Sequence, residues 1–281
     1  MHPYAGADAA LATMHGKHAA LSPALAARLG MRLVLASAVD TDALGTFTGE
    51  IARRGSMLEA AVAKARLGMR ATGLRLGIAS EGSFGPHPAV PFLPLAIELV
   101  VLVDDARGLV IHEQTASERT NYAHCTARHV EDLGPLLDRV RFPSHALVVR
   151  PNAGDGAIVK GITDRDRLGA AIAAAAAASA DGAARVETDM RAHLNPTRMG
   201  EIAKLADRFA DRLAALCPAC HTPGFGIIRS EPGLPCEACG APTALVRTLV
   251  RGCVRCALTV NEPRSDGLRL ASAAQCPECN P

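Results

Sequence analysis

The sequence predicts an α/β N-terminal domain, a mixed sheet with flanking helices, followed by a small C-terminal tandem zinc ribbon. Two observations carry this. Short apolar runs of strand length alternate with helical stretches over residues 1–215. Then, within residues 216–281, eight of the nine cysteines occur as four Cys-x-x-Cys pairs: Cys217/Cys220, Cys236/Cys239, Cys253/Cys256 and Cys276/Cys279. A Cys-x-x-Cys turn aims two thiolates at one point, and two such turns complete a tetrahedral four-cysteine zinc site. Four turns therefore imply two structural Zn2+ ions. The gaps between pairs are 15, 13 and 19 residues, which suits short ribbon loops. Chain order suggests Cys217–Cys239 as one ribbon and Cys253–Cys279 as the next. Interleaved pairing is also open, because spacing alone does not fix connectivity.

Taken in order, Leu11–Lys17 reads as a loop or short strand and Pro23–Leu29 as a helix. Met31–Ser37 is apolar and reads as a buried strand, and Asp40–Gly49 as a loop. Ser56-Met57-Leu58-Glu59 is a capping box. The helix it starts carries Leu58, Val62, Ala65 and Met69 on one face. Arg75–Ala79 is a short strand ending in a turn, Ser80-Glu81-Gly82-Ser83-Phe84-Gly85. Ile97–Val103 is a buried strand that Asp104–Gly108 turns back into Leu109–Glu113. Ala146–Val149 and Ala157–Gly161 pair as a hairpin. Thr163 or Asp164 caps an Ala-rich helix, because Ala has the best helix propensity. Ala184–Thr188 is the last strand of this part. Met199–Leu216 is amphipathic, with Ile202, Leu205, Phe209 and Leu213 in one stripe, and it runs directly into Cys217.

The chain of 281 residues is 49% hydrophobic and 21% charged, an ordinary globular composition with no membrane-spanning stretch. Its start lacks the pattern of a signal peptide, and cysteines at zinc spacing fit a reducing compartment, so a cytoplasmic location is expected. The formal net charge is +2. The segment from Cys217 onward holds six Arg and five acidic residues; eight thiolates and two Zn2+ bring it to about −3. It has one aromatic residue, Phe225. Nucleic-acid-binding modules are basic and carry stacking aromatics, so this composition argues against a nucleic-acid partner.

Several constellations could carry chemistry. Thr13, His15 and Lys17 lie in Ala12-Thr13-Met14-His15-Gly16-Lys17, a polar Gly turn before a helix that suits a phosphate or is a plain surface loop. Gly45-Thr46-Phe47 leads on to Glu59 and Lys64. Glu81 and His87 lie in Ser80–Pro88, where a carboxylate just beyond a strand is placed to hold Mg2+. Arg191, His193, Asn195 and Arg198 lie in Glu187–Arg198, a dense polar stretch before a helix that suits an anion. Cys125, the unpaired cysteine, reads as an idle thiol.

The pattern resembles an uncharacterised bacterial family, domain-of-unknown-function family 6671. The matching features are Ser80–Pro88, Glu187–His193, Asn195–Met199 and the four cysteine pairs, and the resemblance implies no known activity. The N-terminal part is also similar, in the order and spacing of its motifs, to the inosine/xanthosine triphosphate pyrophosphatases. Ala12–Lys17 stands in the place of their phosphate loop, followed by Thr46-Phe47, Glu59, Lys64-Ala65, the acidic turn at Ala79–Gly82 and Arg191–Arg198. One Glu replaces the paired Asp of that turn.

These readings lead to a Mg2+-dependent hydrolase or transferase acting on a nucleotide or related phosphorylated compound. Glu59, Glu81 and His87 would be catalytic, and Thr13, His15, Lys17, Arg191, His193, Asn195 and Arg198 would bind phosphate. The alternative is a non-catalytic zinc protein whose cysteine-rich segment docks a protein partner.

Overall fold

The computed structural model describes residues 2–36 and 55–281. The loop expected at Asp40–Gly49 and the Gly45-Thr46-Phe47 motif lie outside them. The chain divides into two compact units. One is Gly6–Phe209; the other joins a short N-terminal segment ending at Ala5 to Ala210–Pro281.

Gly6–Phe209 opens with a five-stranded sheet. Its strands are β1 (Asp8–Leu11), β2 (Arg32–Leu35), β3 (Leu76–Pro86), β4 (Pro94–Asp104) and β5 (Leu109–Ser117), in the order β2-β1-β3-β4-β5. β1 is parallel to β2 and β3, while β3, β4 and β5 form an antiparallel meander. Helix α1 (His18–Leu29) connects β1 to β2. It begins five residues before the expected Pro23 and carries that proline inside. Burial of Ala20, Leu21, Ala24, Leu25 and Leu29 outweighs the one missing N–H. β2 is the sheet edge and is largely exposed, not the buried strand expected of Met31–Ser37. Helix α2 (Met57–Thr72) starts at the Ser56–Glu59 capping box, as expected. It lays Ala61, Ala65 and Met69 on the sheet against Ala10, Ala79, Leu99, Val101 and Val103.

The largest departure from the sequence reading is β3. Ser80–Gly85 is not a turn but the middle of an eleven-residue strand, paired with β4 from Leu76↔Asp104 to Pro86↔Pro94. Ser and Gly are poor strand formers, and local propensity here yields to the continuous ladder. Gly82 has a specific reason. A Cβ there would meet the Glu98 carboxylate at 3.0 Å and the Arg198 guanidinium closer still.

A second, antiparallel sheet follows in the order β6-β9-β7-β8, from β6 (His124–Ala127), β7 (Leu147–Pro151), β8 (Val159–Ile162) and β9 (Ala184–Thr188). Helices α3 (Gly134–Val140) and α4 (Arg165–Ala178) cover it, with Leu137, Leu168 and Ile172 packed on Leu147, Val149 and Val186. Asp164 caps α4 by accepting the Arg167 N–H at 2.8 Å. Helix α5 (Pro196–Ala214) follows a short 3-10 turn at Ala192–Leu194.

In the C-terminal unit, β10 (Gly226–Pro232), β11 (Val246–Gly252) and β12 (Thr259–Pro263) form an antiparallel meander. This topology decides the cysteine pairing. Cys217/Cys220 precede β10 and Cys253/Cys256 follow β11, so Gly226↔Gly252 pairing puts both pairs at one end of the sheet. Cys236/Cys239, between β10 and β11, and Cys276/Cys279, beyond β12, fall at the other end. The sites are therefore interleaved, which corrects the tandem arrangement expected from chain order.

Candidate functional site

Within Gly6–Phe209, the start of α1 together with α2, β3, β4 and α5 brings five charged side chains into one buried cluster. Lys17 is the residue that precedes α1 and donates its Nζ–H to the Ser80 carbonyl at 3.1 Å. Glu81, from the middle of β3, pairs through Oε1 with Lys64 Nζ at 2.5 Å, and both side chains are nearly buried. Glu98, on β4 opposite Gly82, receives Arg198 Nε at 2.7 Å and Nη2 at 3.2 Å. Arg198 also donates Nη1–H to the Met190 carbonyl and lies 4.8 Å above the Phe84 ring. Lys17, Lys64 and Arg198 thus face two carboxylates, one cation in excess among the described residues. Burial first, then the Arg198 charge, pushes the Lys17 ammonium down to about 8, while Glu98 and Glu81 pull it the other way. A buried charge is costly unless compensated, so such a surplus favours an anion as neighbour.

The first and last polar motifs do meet. His15 stacks on His193 with ring centroids 5.3 Å apart, and a Cβ on Gly16 would touch that of His193. Burial, then Arg191, holds His193 below the usual imidazole value. Thr13 Oγ1 accepts the His15 N–H. The other expected residues have different duties. Arg191 forks onto Asp189, with Nη2 to Oδ2 at 2.6 Å. Asn195 is fully buried; its Oδ1 accepts the Arg198 N–H at the start of α5, and its Nδ2 donates to Asn121 and to the Asp189 carbonyl. Thr197 N–H donates to His145 Nε2, so that nitrogen carries the lone pair, and His145 closes the same helix start as a neutral ring. Burial, then Arg141, lowers the His145 pKa accordingly.

Glu59 and His87 make local structural contacts. The Glu59 carboxylate is exposed and accepts from Ser56 N–H and Oγ–H at 2.7 and 2.9 Å, completing the capping box rather than joining Glu81. His87 Nδ1 accepts from the Ala89 and Val90 N–H groups and fixes the loop after β3. Glu81 in turn has ammonium groups for neighbours, an unsuitable setting for Mg2+, which wants several oxygen ligands. Outside the cysteines, no group of three His, Asp or Glu among the described residues brings ligand atoms within 4.8 Å. The residue the sequence reading missed is Glu98. It lies in an apolar run, Ile97–Val103, and a lone carboxylate inside a buried strand was the signal.

The cysteines form two groups, Cys217, Cys220, Cys253 and Cys256, and Cys236, Cys239, Cys276 and Cys279. Sulfur–sulfur distances are 3.7 Å for Cys217–Cys256, 3.5 Å for Cys220–Cys253, 3.9 Å for Cys236–Cys279 and 3.6 Å for Cys239–Cys276. Four thiolates about 2.3 Å from a tetrahedral zinc lie about 3.8 Å apart, so each group can hold such an ion. Backbone N–H groups of Ala238, Arg255 and Cys256 point at Cys236 and Cys253 sulfurs, which steadies thiolates. Cys239 beside it, then burial, pushes the Cys279 thiol up to about 12, so four crowded sulfurs ionise together only around a cation. Cys125, whose pKa burial raises, stands apart from both groups and packs partly buried against the core of the second sheet.

A family model described as a domain of unknown function (DUF6671) matches residues 64–281. The chain belongs to this family. The DUF6671 match takes in Glu81, Glu98, Arg198 and all eight paired cysteines, whereas Lys17 precedes it. No curated protein and no solved structure matches the chain. The likeness to inosine/xanthosine triphosphate pyrophosphatases therefore rests on sequence order alone. No helix among the described residues is long and apolar enough to cross a membrane.

Proposed function

We propose that Gly6–Phe209 binds a small phosphorylated compound at the Lys17–Lys64–Arg198 cluster and hydrolyses or transfers its phosphoryl group, with two structural zinc ions in the C-terminal unit. The observation that carries this is the surplus cation among buried charges. Phosphoryl transfer is mainly positioning and charge neutralisation, which two lysines and an arginine supply. Glu81 would orient the attacking water. Lys17, with a pKa of about 8, can hold or give up a proton near neutral pH. A nucleotide is the favoured compound, and any Mg2+ would come bound to its phosphates.

The test is phosphate and pyrophosphate release from canonical and deaminated nucleoside triphosphates, with wild type, Glu81→Gln and Lys17→Met compared. Turnover reduced ~100-fold in both variants is the expected result. Folded, zinc-loaded wild type that turns over none of them sinks the proposal.

A second reading is a non-catalytic zinc protein docking a protein partner. Ile227, Ile228 and Val260 in the zinc unit are 46%, 46% and 40% exposed, which favours it. It requires that Ile228→Asp lose a captured partner while zinc content stays unchanged.

A further inference from the structure

A cleft of about 890 Å³ opens in Gly6–Phe209 between the loop after β3, the segment joining β5 to β6, the end of α3 and the start of α5. That is the size of a small-molecule site, typically ~300–1,000 Å³. Three of its arginines, Arg119, Arg139 and Arg141, make no ion pair or side-chain hydrogen bond among the described residues. Opposite them stands one unpaired carboxylate, Glu118, since Glu201 is taken by Lys204 at 2.6 Å. Burial, then Arg185, disfavours the His124 imidazolium, so that ring adds no charge near neutral pH. The cleft is therefore cationic by two charges.

Two further observations point to a ligand. Arg141 ends α3 in the left-handed conformation, φ +62°, where glycine or asparagine is the usual residue. The chain tolerates this strain and thereby places a guanidinium at the cleft. Phe92 is 84% exposed at the cleft, and Tyr122, stacked on Phe84 at 6.4 Å, lines it as well. An aromatic ring left in water beside unpaired guanidinium groups is the pairing that recognises a planar base joined to phosphates.

We propose that this cleft binds a nucleoside di- or triphosphate, the arginines taking the phosphates and Phe92 the base. The proposal is independent of the reaction assigned to the Lys17 cluster. Arg119 and Thr120 line both this cleft and a small cavity reaching Glu98 and Arg198, so a ligand here lies next to that cluster.

The experiment is calorimetric titration of the full zinc-loaded chain with ATP, ADP, adenosine and inorganic pyrophosphate. ATP and ADP bind more tightly than adenosine or pyrophosphate. Arg139→Ser with Arg141→Ser weakens ATP at least tenfold. Phe92→Ala weakens ATP about tenfold and leaves pyrophosphate unchanged. The inference is overturned by absence of binding from folded protein or by affinity insensitive to the arginine pair. ATP affinity insensitive to the arginine pair would place the nucleotide at the buried Lys17–Lys64–Arg198 cluster instead. Tighter binding of a single-stranded oligonucleotide than of ATP also overturns it.

Discussion

Arg198 and Glu98 lie a hundred residues apart in the chain and form a doubly hydrogen-bonded, nearly buried ion pair, Nε to Oε1 at 2.7 Å. The pair ties the start of α5 to the middle of β4. It also uses the room that Gly82 leaves on β3.

Breaking that pair on one side leaves a charge in a dry site. Glu98→Gln is expected to cost about 3–5 kcal/mol in urea unfolding. The double variant Glu98→Leu/Arg198→Met, which removes both charges, recovers most of the loss. A double variant that falls by the sum of two large single losses would show that the pair is not coupled.

Gly82→Ala pushes a methyl group against both partners, and overpacking of this kind costs about 1–3 kcal/mol. Gly85, on the same strand, has open space where a Cβ would go, so Gly85→Ala changes stability by less than about 0.5 kcal/mol. Equal effects at the two positions would refute a steric role for Gly82.

Lys17 gives a pH signature. Its pKa is about 8 in the folded chain against 10.5 for an ordinary lysine. Below pH 8 both states hold the proton, and burying it is a standing cost. Between about pH 8 and 10.5 the folded chain has released a proton that the unfolded chain still binds, so stability rises with pH, by about 3 kcal/mol in total. Lys17→Met lacks this gain. Its stability advantage over wild type below pH 8 therefore shrinks by about 3 kcal/mol by pH 10.5. An advantage constant across that range would show that the ammonium is not desolvated.

The parts of the fold that were legible in the sequence are those with strong local rules. Ser56–Glu59 announced α2, Thr163 or Asp164 marked the start of α4 with Asp164 the actual cap, and Ala184–Thr188 reads as β9 with the same bounds. What failed depends on partners far along the chain. Ser80–Gly85 looks like a turn because its residues are poor strand formers, and only the facing strand Pro94–Asp104 makes it a strand. Glu59 offers the same carboxylate whether it caps a helix or faces a ligand; its geometry with Ser56 decides. The eight cysteines were plain from spacing, yet their pairing was not. It follows from antiparallel strands at Ile227–Ser230 and Val246–Val250, whose branched side chains were the unread signal.

That pairing can be tested by counting metal. Wild type is expected to hold two zinc ions per chain in native mass spectrometry. Cys217→Ser with Cys253→Ser damages one interleaved site twice and leaves the Cys236, Cys239, Cys276 and Cys279 ion in place. Cys217→Ser with Cys236→Ser damages both sites, so neither ion is held tightly. Sequential ribbons would give the reverse counts, because Cys217 and Cys236 would then share a site while Cys217 and Cys253 would not. Both double variants lose two thiols, so the comparison separates connectivity from the general cost of removing cysteine. The surviving site in the first variant also reports on the sheet. Its ion stays bound only if β11 and β12 still bring Cys276 and Cys279 back to the Cys236 end.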